Sequence, residues 1–172
     1  MSEPAPDQDE FYADEADALT DALARCYSHL ARREHSVAEL RARLERSRLD
    51  EETIDEALAI VVEQGYLNDE RYARLLAEDR RSIDGWGVER IRAKMLGAGI
   101  DRALIDAALA AFDDASELEA AVEVLRRRVR TPPSNDRERQ RAFTLLVRQG
   151  FDSDIVYEAI RQHERDAAEA AH

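Results

Sequence analysis

Apolar residues recur at steps of three and four through nearly the whole chain, the spacing that places them on one face of a helix. Three stretches carry the pattern in the same phase. VAELRARLERSRLDEETIDEALAIV (37–61), VERIRAKMLGAGIDRALIDAALAAF (88–112) and RQRAFTLLVRQGFDSDIVYEAIRQH (139–163) align without a gap at a constant offset of 51 residues. Leu44, Met95 and Leu146 share one column, and Leu58, Leu109 and Ile160 share another, so these six are expected to be buried. Asp50, Asp101 and Asp152 share a third column just before an apolar helical run, the place of an N-cap. Agreement over this many columns marks an internal repeat.

Each unit reads as three helices. The first helices are expected over about 15–33, 69–81 and 117–130, followed by the variable loops REHS, SIDGWG and TPPSND. The second helix ends at the apolar residue before the aligned Asp, and the third starts from that Asp. Ser36 with Glu39, and Ser116 with Glu119, have the spacing of capping boxes. With only six Gly and four Pro, the body has almost no helix breakers. The expected fold class is all-α: three tandem three-helix repeats forming an elongated curved body, because units of this kind finish their burial on a neighbour. The boundaries follow as an acidic disordered tail (1–14), repeats over 15–67, 68–115 and 116–163, and a C-terminal tail (164–172).

The stretch GYLNDERYA (65–73) hands the first unit to the second. Gly65 suits the left-handed conformation that closes a helix, and Tyr66 or Leu67 suits the apolar contact that folds back on it. Asn68 and Asp69 offer side-chain oxygens to the amides of the next helix, which carries Tyr72 inward. The stretch is read as a rigid structural joint.

Charge changes the picture more by its distribution than by its net value of −13. Acid-only blocks at 1–24, 49–70 and 103–125 alternate with basic blocks at 25–48, 71–102 and 126–141. Superimposed on the repeat, the arginines fall on second helices and the ends of first helices, and the acids on third helices and their caps. A solvated face with acids favoured at helix starts explains part of this. The sharper reading aligns the cations into a basic stripe for a partner. The candidate partner-binding residues are Arg80, Arg81, Arg90, Arg92, Lys94, Arg126, Arg127, Arg128, Arg130, Arg137, Arg139 and Arg141.

Catalytic chemistry finds no foothold. His29, His35, His163 and His172 lack partners at metal-ligand or triad spacing, so neither a metal nor another cofactor is expected. GAGID (97–101) lacks the Lys-Ser or Lys-Thr of a phosphate loop. The lone Cys26 sits on an apolar face and reads as packing, and Trp86 as packed across the first two helices of its unit. Helix, glycine turn, helix is also the outline of a DNA reader, but the third helix over 50–62 has five acids and no base, which phosphate repels. No run approaches a membrane span, and the start MSEPAPDQDE lacks the basic and apolar regions of a signal peptide, so a cytoplasmic protein is expected.

Four blocks, ALARCYSHLARREHSVAELRARL, GYLNDERYA, GVERIRAKMLGAGI and LLVRQGFDSDIVYEAI, resemble in order and spacing those of RecX regulatory proteins over about 15–163. The resemblance implies tandem three-helix units and a partner: the RecA protein and the RecA-DNA filament. It also implies restraint of recombinase, ATPase and coprotease activity in DNA repair and the SOS response, without chemistry of its own; a monomer is expected. The acidic total and the single Lys among 25 cations depart from the character of proteins that also touch DNA. A nonspecific DNA-binding helical protein is the alternative, and a weak nonspecific DNA contact is compatible with both readings.

Overall fold

The computed structural model describes residues 8–129 and 131–170, and over these it is helical, without a strand. The described helices are α1 (Gln8–Leu30), α2 (Val37–Leu44), α3 (Glu51–Glu63), α4 (Asp69–Ser82), α5 (Val88–Gly97), α6 (Arg102–Leu109), α7 (Asp114–Arg128), α8 (Asp136–Gln149) and α9 (Ser153–Ala170). They form the three expected three-helix groups. Of the acidic tail expected over 1–14, positions 1–7 lie outside the described residues and α1 takes up the rest from Gln8; of the C-terminal tail, 171–172 lie outside and α9 runs to Ala170.

The repeat columns behave as their spacing requires. Leu44, Met95, Leu146, Leu58, Leu109 and Ile160 are all at most 5% exposed. Each such burial is worth roughly 1.5–3 kcal/mol. Cys26 is fully buried beside Leu40 and Leu44 in the core of the first group, as packing rather than reactive sulfur. The aligned aspartates cap: Asp50 accepts from Thr53 N, Asp101 from Ala103 N and Asp152 from Asp154 N, each at 2.8 Å. The bonds from Thr53 N and Thr53 Oγ1 hold the Asp50 carboxyl below its ordinary value.

One capping box is present and one is not. Ser36 and Glu39 form the reciprocal pair at the start of α2. Ser116 does not cap α7; Asp113 does, accepting from Ser116 N at 2.9 Å, and the helix starts earlier than 117. A carboxylate three residues upstream of Ser116 outcompetes its hydroxyl, because a charged acceptor gains more from the free amides.

The chain divides into two compact units, 1–72 with 98–100, and 73–97 with 101–172. In the first, Gly65 takes φ +75° and closes α3, with Tyr66 N and Leu67 N both bonding Val61 O at 3.1 Å. Leu67 is the residue that folds back, at 1% exposure, while Tyr66 stays 58% exposed against the ring edge of Tyr27. Asn68 caps α4 through Arg71 N at 2.8 Å. Asp69 departs from the expectation: its carboxylate accepts from Val37 N, at the start of α2, at 2.8 Å. Arg71 completes the joint by donating to Gly65 O at 2.9 Å and Tyr66 O at 3.0 Å while paired with Glu34.

The second unit repeats this arrangement with other residues. Glu117, on α7, accepts from Val88 N at the start of α5 at 3.3 Å, as Asp69 does for α2. Ser36 Oγ donates to Ala98 O at 2.5 Å in the first unit; Gly87 N donates to Gln149 O at 2.8 Å in the second. Both of those donors and both acceptors are related by the 51-residue offset.

The glycines at these places fail differently when replaced. Gly65 has open space around a would-be Cβ, so only its positive φ resists a side chain, whereas a Cβ on Gly87 would overlap the backbone carbonyl of Gly150. Gly65→Val is expected to cost about 1 kcal/mol or more and Gly87→Ala about 2 kcal/mol, because the neighbouring backbone cannot yield. Urea denaturation of the two variants checks the order.

Buried His35 predicts a pH dependence. Burial first, then Arg33 and Arg43, hold its imidazole below the ordinary value, so the folded state binds the proton less readily than the unfolded chain. Stability should therefore fall as pH drops below the unfolded-state value of about 6.5. Denaturation midpoints between neutral and mildly acidic pH should show this decline, and His35→Gln should flatten it.

Candidate partner-binding surface

Most of the candidate cations are already engaged. Arg80 pairs with Asp84 at 2.6 Å and lies 5.3 Å from the Trp86 ring. Arg90 stacks on that ring at 4.1 Å and donates to Gln149 Oε1 at 2.8 Å and Arg148 O at 3.2 Å. Trp86 is thus held between α4 and α5, as expected of a packed residue. Arg126 pairs with Asp166 at 2.7 Å, Arg127 with Glu123 at 3.5 Å, and Arg139 with Glu164 at 2.8 Å. Lys94, Arg128, Arg137 and Arg141 are exposed and make no ion pair among the described residues. Arg130 lies outside the described residues.

Arg81 has become part of the core. Its guanidinium pairs with Glu117, the two side chains being only 14% and 9% exposed, and it lies 4.6 Å from the Phe112 ring and 5.7 Å from that of Phe151. Burial lowers its pKa to about 10. Its Nε and Nη1 are buried without a hydrogen-bond partner, facing aromatic surface that supplies partial compensation for a cation. Glu117 therefore does two things at once: it neutralises Arg81 and receives the first amide of α5.

Second-helix arginines show a rule and an exception. Arg41 pairs with Asp55, and Arg92, at the equivalent position, pairs with Asp106 at 2.5 Å. In the third group the same two columns hold Phe143 and Tyr157, whose rings lie 5.0 Å apart. Tyr157 is 56% exposed, and the pair borders a cavity of about 280 Å³ whose rim includes Asp136, Arg139, Arg161 and Glu164. Arg92 is thus a tie between helices, and the third group presents aromatic surface instead. The pair was absent from the sequence-based candidates, although the 51-residue alignment contained the signal.

The histidines remain structural. His163 Nε2 donates to Val129 O at 2.8 Å, a bond from α9 to the end of α7, and the ring of His29 meets that of His35 at 6.0 Å. His172 lies outside the described residues. Among the described residues no cluster of His, Cys, Asp or Glu is arranged to hold a metal, and no helix is long and apolar enough to cross a membrane.

Tandem three-helix domains with an arginine-bearing second helix in each define a class of helical repeat proteins. The chain belongs to the RecX family: the first, second and third three-helix domains of RecX match residues 22–59, 68–109 and 115–160. It is 34% identical over 161 residues to "Regulatory protein RecX" of Deinococcus radiodurans, covering 94% of this chain and 76% of that one. To the protein of the same name from Leptothrix cholodnii it is 36% identical over 144 residues, covering 83% and 90%. A solved structure titled "Crystal structure of regulatory protein RecX" superposes with a TM-score of 0.76 at 25% identity, over 94% of this chain and 82% of that one.

The Arg81 and Glu117 pair supplies a stability test. Glu117→Gln keeps an acceptor for Val88 N but leaves a buried cation unpaired, and should cost about 3 kcal/mol. Thermal and urea unfolding of the variant measure it.

Proposed function

We propose that this protein binds RecA and its nucleoprotein filament in the cytoplasm, as a monomer, and restrains recombinase, ATPase and coprotease activity during DNA repair and the SOS response. The observation that carries this reading is the match of all three helical domains, in order, to RecX. The protein acts by occupancy and has no catalytic step of its own. Titratable side chains with shifted pKa values, such as Asp69 and His35, sit at helix starts and in cores where they serve the fold.

The cations available for docking are those with no ion pair or held only by exposed ones. At the end of α7, Arg126, Arg127 and Arg128 form a run in which the first two are held only by exposed pairs. Exposed pairs of this kind contribute little to stability, so their arginines can exchange partners. On a filament they meet carboxylates and phosphates, while apolar contacts that salt does not screen hold the complex.

ATP hydrolysis by RecA on single-stranded DNA, with and without the purified protein, tests the reading directly. Inhibition is expected, and it should survive salt that strips the protein from naked DNA. Charge reversal of Arg126, Arg127 and Arg128 together should weaken inhibition by about tenfold or more, from the loss of several charge-assisted contacts, with an unchanged melting profile. Coincident salt midpoints for inhibition and DNA retention would favour plain DNA binding instead.

A further inference from the structure

In the first unit, α3 ends on an exposed aromatic pair that the core does not use. Leu67 is the buried contact of the Gly65 turn, whereas Tyr66 beside it is 58% exposed. Tyr66 is nonetheless held in place: its amide bonds Val61 O at 3.1 Å, and its carbonyl accepts from Arg71 Nη2 at 3.0 Å. Its ring meets that of Tyr27 edge to face at 5.7 Å, and Tyr27 Oη donates to Gln64 Oε1 at 2.6 Å. Tyr27, Gln64 and Tyr66 line an open cleft of about 530 Å³, and Val62, 45% exposed, lies one helical turn before Tyr66. The charge beside this cleft is acidic. Along α3, which has five acids and no base, Glu52, Glu56 and Glu63 fall within an arc of about 40° and span about 16 Å, given about 100° and 1.5 Å per residue. All three are exposed and make no ion pair among the described residues, and the same holds for Glu70 in the first turn of α4. The bases closest in sequence to the two tyrosines, Arg25 and Arg71, are paired with Asp21 and Glu34.

We infer that the cleft of Tyr27 and Tyr66 is a docking site for a basic segment of a protein partner. An arginine of that segment stacks on the exposed tyrosine faces, and its neighbouring cations meet Glu63, Glu56 and Glu52. The aromatic pair makes the site, and the acids select the occupant. A guanidinium over a tyrosine ring gains an attraction that a carboxylate on an open helix face does not supply. Tyrosine also offers large contact area with few torsions to freeze, and this ring is already held by its backbone. Tyr and Arg are among the residues in which interfaces concentrate their energy. Phosphate is repelled by the unpaired carboxylates, so the chemistry favours a basic protein segment over a nucleic-acid strand. The inference goes beyond the proposed function, whose docking groups are cations, and it is tested without RecA.

The test is fluorescence anisotropy of a labelled peptide that alternates arginine with alanine around a central leucine, titrated with the full chain at several salt concentrations. The same peptide with lysine for arginine is titrated beside it. The arginine peptide should bind about threefold more tightly than the lysine peptide, because a planar guanidinium stacks on a ring better than an ammonium does. Y27S/Y66S should weaken binding of the arginine peptide about fivefold and remove its advantage over lysine. E52Q/E56Q/E63Q should weaken both peptides about fivefold, keep the advantage and make affinity less sensitive to salt. E78Q/E89Q/E119Q removes three exposed acids without ion pairs from the second unit and should leave both affinities within about twofold, since distant exposed charges are screened. Equal melting profiles exclude misfolding; if Y27S/Y66S unfolds, Y66S alone carries the expectation of a lost arginine advantage. The inference is overturned if the native chain does not bind the arginine peptide, if the lysine peptide binds as tightly, or if the tyrosine variants bind as the native chain does. An equal loss in E78Q/E89Q/E119Q overturns it as well. Sedimentation of the chain alone covers the other occupant: concentration-dependent association that Y66S abolishes would assign the cleft to a second copy of this chain instead.

Discussion

A helix that begins inside a protein carries amides with no partner within the helix, and burying them unsatisfied costs more than most single contacts return. In this chain the starts of α2 and α5 meet that constraint with a carboxylate from the first turn of a later helix: Asp69 for Val37 N and Glu117 for Val88 N. Beside each, a second donor from the preceding residue reaches a carbonyl at the end of a second helix or just after it, Ser36 to Ala98 and Gly87 to Gln149. The helical groups are therefore completed by residues that lie far along the chain. This is the nearest-neighbour dependence expected of repeat proteins, expressed in four named hydrogen bonds.

The same economy governs the arginines. With 38 acids and 25 Lys and Arg in the chain, about half of the described cations find a carboxylate as an ion-pair partner. Arg41 and Arg92 tie second helices to third, and Arg71 draws the joint together through Glu34 and two carbonyls. Arg81 has gone furthest inward, and its burial between Phe112 and Phe151 binds it to Glu117. On α8 and at the end of α7, Arg128, Arg137, Arg141 and Arg148 stay exposed and make no ion pair among the described residues.

That third group also differs in the columns where its predecessors hold an arginine and an aspartate. Phe143 and Tyr157 replace an ion pair with an aromatic contact and leave apolar surface beside a shallow cavity. An exposed ion pair contributes little to stability, so the substitution costs the fold little while changing what the surface can recognise. Repetition supplies the scaffold, and departures from it distinguish one face from another.

The sequence alone determined the number of helical groups, the columns of the core and the third-helix caps, because helical periodicity and N-capping are local properties that survive any arrangement of neighbours. Gly65 was legible for the same reason: a positive φ is a property of one residue. The false capping box at Ser116 shows the limit of local reasoning, since Asp113 lies just as close in sequence and wins by charge. Which arginines remain free was decided only by the tertiary structure. Arg92 and Arg141 look alike in sequence, yet one meets Asp106 across fourteen residues and the other meets no carboxylate as an ion pair among the described residues. The partner of a long flexible cation is chosen by whatever the fold brings within a few ångströms, and spacing along the chain does not carry that information.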